Sequence, residues 1–536
     1  MLMHYFRIIL MLAALLLPVM LPAQNIEVEG EVMGLWNADT VKVSGDIFLP
    51  PGSSLFIEAG VVVQFQGYFG FKVEGSLQAL GTAASPVVFT VNDTTGLHNV
   101  YAPTGGWSGI LLHAESEDDN ITAIFDHCHF EYAKTWQEDS LPHGAAVYIS
   151  GPVSASFQQC SFLHNRAFLS GAAIYFNGAS PLIENCYFAG NQAGHQPVIE
   201  DSYGYGGALC GINTKAVIRG NVFFDNWSTG IGGGLSIDSG DPVIENNIFE
   251  GNDSPLGGGF GILRSQVLGT IANNLVVNNH SIFFGGGIAL IGVRATLANN
   301  TIAGNYAGYG GGLYFNLEAY VKVYNTIVWG NTANGTYGGS VFIWDGPSVP
   351  DFYNCNIEGG LEYFDGATFL GEYLDNIETD PFFAAQGLHP FELQPQSPGI
   401  NAGIDDPGFL ALPALDLAGN PRVQLGRIDM GAYEADTMAS SSIAHQRHPT
   451  LQLSVFPNPV RETTSVTLQV AKAGMVKVYL VNTRGQQLWM LHEGFAEPGR
   501  YAFSLNVAEA LPGKGVYFII GESMQEKVAA KVVVWP

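Results

Sequence analysis

Between about residues 110 and 345 apolar and polar positions alternate in short runs, each closed by Asn or Gly. Residues 242–249, PVIENNIF, and their near-copy 295–302, ATLANNTI, show the unit: a β-branched run, a pair of Asn, a second apolar run. Period-two alternation rich in Val, Ile and Thr predicts strands, and no helical periodicity competes with it. The Asn pair predicts a bend between two strands, in the left-handed conformation that Asn and Gly tolerate best.

The unit recurs. Its closing residue falls at Asn165, Asn191, Asn226, Asn252, Asn279, Asn305 and Asn331, with spacings of 26, 35, 26, 27, 26 and 26. Ala133 holds this column one copy earlier. A second column, five residues before it, reads Cys128, Cys160, Cys186, Asn221, Asn247, Asn274 and Asn300; a third precedes that by one residue, from His127 to Asn299. A fixed period signals a solenoid, and short strands joined by tight corners predict a right-handed parallel β-helix. Coils stacked about 4.8 Å apart turn each column into a ladder. Asn221, Asn247, Asn274 and Asn300 are expected to satisfy their amides from coil to coil. The Gly run after each corner marks close backbone approach.

A chain of 536 residues outgrows one compact core unless it grows by repetition. The expected fold class is therefore all-β, a solenoid followed by a small C-terminal β-sandwich. Charge divides along the chain: residues 25–450 hold 12 Lys+Arg against 42 Asp+Glu, residues 451–536 hold 8 against 6. No basic stripe exists to neutralise phosphates, which argues against nucleic-acid binding. The acidic body leaves calcium or cationic glycans open as partners. No resident cofactor or metal centre is expected, because the cysteine spacings are unlike those of metal sites. Cys160 and Cys186 share a ladder column, so a disulfide between coils and unpaired stacked thiols both remain open, the thiols preferred. Arg7, the apolar run Ile8–Met20 and Ala23 predict a secretory signal over 1–23. That run is short of the roughly 20 residues a membrane span needs.

Three stretches resemble known modules. Residues 46–110, from GDIFLPPGSSLFIEAG to GGWSGILL, resemble the opening coils of secreted bacterial β-helix proteins of the pectate-lyase-like superfamily. Residues 380–434, with LQPQSPGINAGIDDP and IDMGAYE, resemble the choice-of-anchor Q domain, departing from it at Asn401 where the family usually has Asp. Residues 451–536, with LQLSVFPNPV and PGKGVYFII, resemble the type A sorting domain of the type IX secretion system of Bacteroidetes. The last resemblance implies Sec export, passage of the outer membrane through that machinery, and display or release at the surface. The expected organisation is a signal peptide over 1–23, a β-helix over 24–379, a cap region over 380–434, a linker over 435–450 and a sorting domain over 451–536. No transmembrane span is expected in the mature protein, which is expected to be a monomer.

Candidate chemistry is sparse. The strand after each Gly run sends an outward column Tyr148, Tyr175, Cys210, Ser236, Gly261, Ala289, Tyr314 and Phe342. With Trp344, its aromatic members Tyr148, Tyr175, Tyr314 and Phe342 are candidates for a sugar-stacking floor. Asp238 is the only carboxylate of the next outward column, without a Lys or Arg beside it there. Glu200 and Asp201 on one insertion, and Glu138, Asp139 and His143 on another, are further candidates, since insertions on a solenoid often carry binding residues. Lyases of the resembled superfamily pair a Lys or Arg base with carboxylate-bound calcium, and its hydrolases pair two carboxylates. No such set is legible here. The expected function is a secreted or surface β-helix protein that binds or adheres without catalysis; the alternative is a polysaccharide lyase or hydrolase.

Overall fold

In a computed structural model the described residues are 25–195, 203–266, 269–334, 339–387, 389–424, 426–435, 451–456, 460, 463–470, 474–482, 487–497, 499–506, 510, 515–523 and 527–534. The signal segment, Glu200, Asp201 and nearly all of the linker lie outside them. The chain divides into two units after Ala435.

The first unit is a right-handed parallel β-helix. One coil runs Val217–Arg219, Val222–Phe224, Trp227–Ser228 and Leu235–Gly240 before the next begins at Val243–Glu245. Each strand pairs in parallel with its copy one coil on, as in Leu235↔Phe260↔Ile288↔Leu313. Stacking the coils produces sheets of 24, 13 and 7 strands among the described residues. The interior is an apolar column whose aromatic spine is Phe130, Phe162, Phe188, Phe223 and Phe249, with successive rings 4.6–4.9 Å apart.

The corners follow from Asn chemistry. His127, Gln159, Asn185, Gly220, Asn246, Asn273 and Asn299 all hold positive φ, between 49° and 67°. Next to them the side chain of Asn221 donates to Asn247, Asn247 to Asn274, and Asn274 to Asn300, each at 3.0 Å. A second ladder runs Asn226, Asn252, Asn279, Asn305 and Asn331 at 2.9–3.0 Å. Each acceptor oxygen also takes the backbone N–H of the Asn before it, as Asn274 Oδ1 takes that of Asn247 at 3.0 Å. The buried corner thus stays hydrogen-bonded without water. Within the first ladder's column, Cys160 and Cys186 are buried free thiols that bond the Gln158 and Glu184 carbonyls at 3.2 and 3.3 Å. Burial pushes both thiols well above their ordinary pKa.

The three glycines of a run do different things. Gly257 turns with φ +66, a Cβ on Gly258 would lie 2.4 Å from the Gly286 carbonyl of the next coil, and one on Gly259 would lie 2.9 Å from Val276 of the core.

Residues 380–435 run along the flank of the coils, over the positive-φ corner. Ala432 N–H bonds Thr301 Oγ1 at 3.0 Å, Ile404 N–H bonds Asn325 Oδ1 at 2.8 Å, and Asn299 Nδ2 bonds the Asp429 carbonyl at 2.9 Å. The strap therefore takes up the amide groups that the outer corner column presents. Its interior buries Arg422 against Glu434 at 2.8 Å, beside Asp416 and Asp429. Asn401 holds φ +53 and uses its backbone N–H, which donates to Asp429 Oδ1 at 2.6 Å.

The second unit comprises two antiparallel sheets of three and four strands among the described residues. Leu451, Val466, Leu468 and Leu505 of one meet Val476, Val478, Leu480 and Ile519 of the other in one apolar core.

Candidate functional site

The expected stacking floor is filled. Tyr314 and Phe342 are only 2% and 8% exposed, because Ile231, Leu256 and Phe284, just before the Gly runs, lie across this face, and Tyr175, 6% exposed, packs against His143 and Tyr148. The Phe284 ring sits 4.9 Å from Tyr314 and 5.8 Å from Phe342. These rings form a second small core outside the coil, so the expectation of an open aromatic floor is corrected. Trp344 stays exposed, edge-on to Phe284 at 5.0 Å, and Tyr148 is half-buried against Tyr175 at 5.2 Å.

Asp238 has a basic partner, contrary to the reading of its column. Arg264, one coil on and just past the strand Phe260–Leu263, donates Nε to Asp238 Oδ1 at 2.8 Å and its Nη2 to Oδ2. Ser239 adds a bond to Oδ1 at 3.1 Å. A carboxylate clamped on both oxygens is occupied, which suits a structural tie across coils better than a proton acceptor.

The insertion over 135–144 does build a cavity. It folds against the opening coils and encloses about 470 Å³ lined by Asp46, Lys72, Ser108, Asp139, His143 and Tyr148, among others. Asp139 is fixed through one oxygen, Oδ2, which accepts the Tyr68 hydroxyl at 2.5 Å and the Trp136 N–H at 2.7 Å. Burial raises the Asp139 carboxyl, and the Tyr68 bond opposes the shift. Asp46 is held by one bond, from Gly70 N–H at 2.9 Å. His143 accepts the Ser170 N–H on Nδ1 at 3.2 Å and stacks on Tyr175 at 4.6 Å; burial pulls its pKa down to about 4, so it is neutral at physiological pH. Lys72 pairs with Glu74 at 2.6 Å. Glu138 is exposed and does not line the cavity. The sequence reading missed Asp46, Tyr68 and Lys72, which come from opening coils without the repeat; nothing in their local sequence marks them. Among the described residues no group of His, Cys, Asp or Glu is placed to hold a metal.

Comparison with known proteins matches residues 108–292 to the right handed beta helix region family. Residues 454–535 match the secretion system C-terminal sorting domain. Metabotropic glutamate receptor-like protein R of Dictyostelium discoideum is 32% identical over 113 residues, which are 21% of this chain and 6% of that protein. The chain thus matches a small fraction of that relative's length. Among solved structures, the periplasmic alginate epimerase AlgG is similar at 14% identity and a TM-score of 0.31, covering 64% of this chain and 78% of that one. The enzymatically active domain of tailspike protein 4 of bacteriophage CBA120 is similar at 10% identity and a TM-score of 0.23, covering 90% and 64%. At these scores neither likeness bears on activity. No helix among the described residues is long and apolar enough to cross a membrane. The chain carries a right-handed β-helix region and a type IX secretion sorting domain, which together make it an exported protein of the cell surface or its surroundings.

Proposed function

We propose that the exported β-helix binds a glycan in the cavity beneath the 135–144 insertion and acts there without turnover. The observation that carries this reading is the pairing of Asp46 and Asp139 with the half-buried ring of Tyr148 around one open space. Carboxylates accept bonds from sugar hydroxyls, and an aromatic ring covers the apolar face of a sugar at low entropic cost. Ser108 adds a hydroxyl to the lining. The test is a glycan array read with the wild type, Asp139→Asn and Tyr148→Ala. Each variant is expected to weaken the retained glycan about tenfold. A wild type that binds nothing would leave a structural or protein-binding surface instead.

A second reading, as a polysaccharide lyase or hydrolase, is favoured by one feature: two carboxylates and Lys72 line the same cavity. Incubation of the wild type with the glycan it retains, followed by assay for new reducing ends or unsaturated products, separates the two. Turnover abolished by Asp139→Asn while binding survives would establish the enzyme.

A further inference from the structure

A groove on the outer side of the seven-stranded sheet shares no lining residue with the cavity just described. Its floor is the column Arg166, Gln192, Trp227 and Asp253, stacked coil on coil. The segment His98–Tyr101 forms a wall, and the space is about 650 Å³. A smaller space of about 220 Å³ adjoins it, lined in part by His98, His164, Arg166 and Gln192.

Charge is sorted along the groove. The smaller space has Arg166 and two histidines and no carboxylate in its lining. Asp225 and Asp253 lie in the larger part, where Asp253 is taken up by His280 at 3.0 Å. Lys134, fully buried, donates to the carbonyls of Gly96, Asn99 and Thr104 at 2.6–2.9 Å and sets a second cation behind the loop. Arg166 bonds the Gln192 side chain, and no carboxylate pairs with it among the described residues. That is notable in a chain with 48 Asp+Glu against 21 Lys+Arg. A half-buried guanidinium carries a planar fork of donors suited to a carboxylate or sulfate. His195 supplies an independent sign. It is 4% exposed, stacks on Phe168 at 4.4 Å, lines the groove, and neither ring nitrogen has a partner among the described residues. Buried polar groups are ordinarily hydrogen-bonded to protein, water or a ligand.

We propose that this groove binds an anionic substituent, a carboxylate or sulfate ester, on a sugar chain that continues past Trp227. The space exceeds what one small anion fills, and the rings of Trp227 and the exposed Tyr101 provide stacking surfaces along it. The experiment titrates the full-length protein with polygalacturonate, dextran sulfate and neutral dextran of matched length. An anionic polymer should bind at least about tenfold more tightly than dextran, with affinity falling as salt rises. The tighter of the two anionic polymers identifies carboxylate or sulfate. Arg166→Gln should weaken that binding about tenfold. His98→Ala, on an exposed position that leaves the core untouched, should weaken it in the same direction. Asp139→Asn should leave it unchanged, which separates this site from the cavity under the insertion. Equal binding of dextran, no binding of either anionic polymer, or anionic binding indifferent to both groove variants would overturn the proposal.

Discussion

Asn252 is held from four sides: its oxygen accepts from the backbone and side chain of Asn226, while its amide donates to Phe223 O and Asn279 Oδ1. Asn252→Ala would leave several buried groups without partners at once. At about 1–3 kcal/mol for a buried group left unmade, the expected loss is about 3 kcal/mol, read as a lower denaturant midpoint. Tyr314 and Trp344 separate packing from exposure. Tyr314, 2% exposed, is wedged against Phe284, so Tyr314→Ala should cost about 3 kcal/mol. Trp344, 54% exposed, should cost less than about 1 kcal/mol on the same change. Equal losses in thermal or denaturant unfolding would contradict the second core outside the coil.

Among elements, the strap over 380–435 has the most distinctive electrostatics. Three buried carboxylates, Asp416, Asp429 and Glu434, surround one guanidinium, that of Arg422. Burial pushes the Glu434 carboxyl up to about 8, with Arg422 opposing, and Asp429 is raised for the same reason. The sign follows from linkage. A carboxyl that holds its proton more tightly in the folded state stabilises below its unfolded pKa, and that stability is lost as pH rises through the folded value. Strap protection should therefore decline between about pH 4.5 and about pH 8, measured as amide exchange over 399–434 corrected for intrinsic rate. Arg422→Met removes the only cation of the set and should cost about 3–5 kcal/mol. The loss should be larger at the alkaline end of that window, and a pH-independent loss would speak against this account.

For the whole molecule, each unit has a core of its own. The β-helix core from Val32 to Ile357 contains no residue of the sorting domain, and the sorting domain's core contains none of the β-helix. Deleting 436–536 should leave the cooperative unfolding of the β-helix unchanged, while the truncated protein accumulates in the periplasm instead of at the surface or in the medium. Normal export of the truncated chain, followed by fractionation, would contradict the sorting role.

The sequence by itself determined the repeat, the corners and the architecture, because Asn and Gly in fixed columns have few conformational alternatives and a 26-residue period admits little but a coil. It also marked the insertion over 135–144, where the structure places a cavity, since an insertion breaks a period visibly. Tertiary structure alone decided which outward residues are open. Alternation tells the face of a strand, but Phe284 covering Tyr314 and Arg264 reaching Asp238 are contacts between coils that alternation does not encode. The same holds for Asp46, Tyr68 and Asp139, which are far apart in sequence and meet only because the opening coils and the insertion fold against each other. Local sequence limits backbone conformation strongly, whereas the burial of a side chain depends on whatever the rest of the chain lays over it.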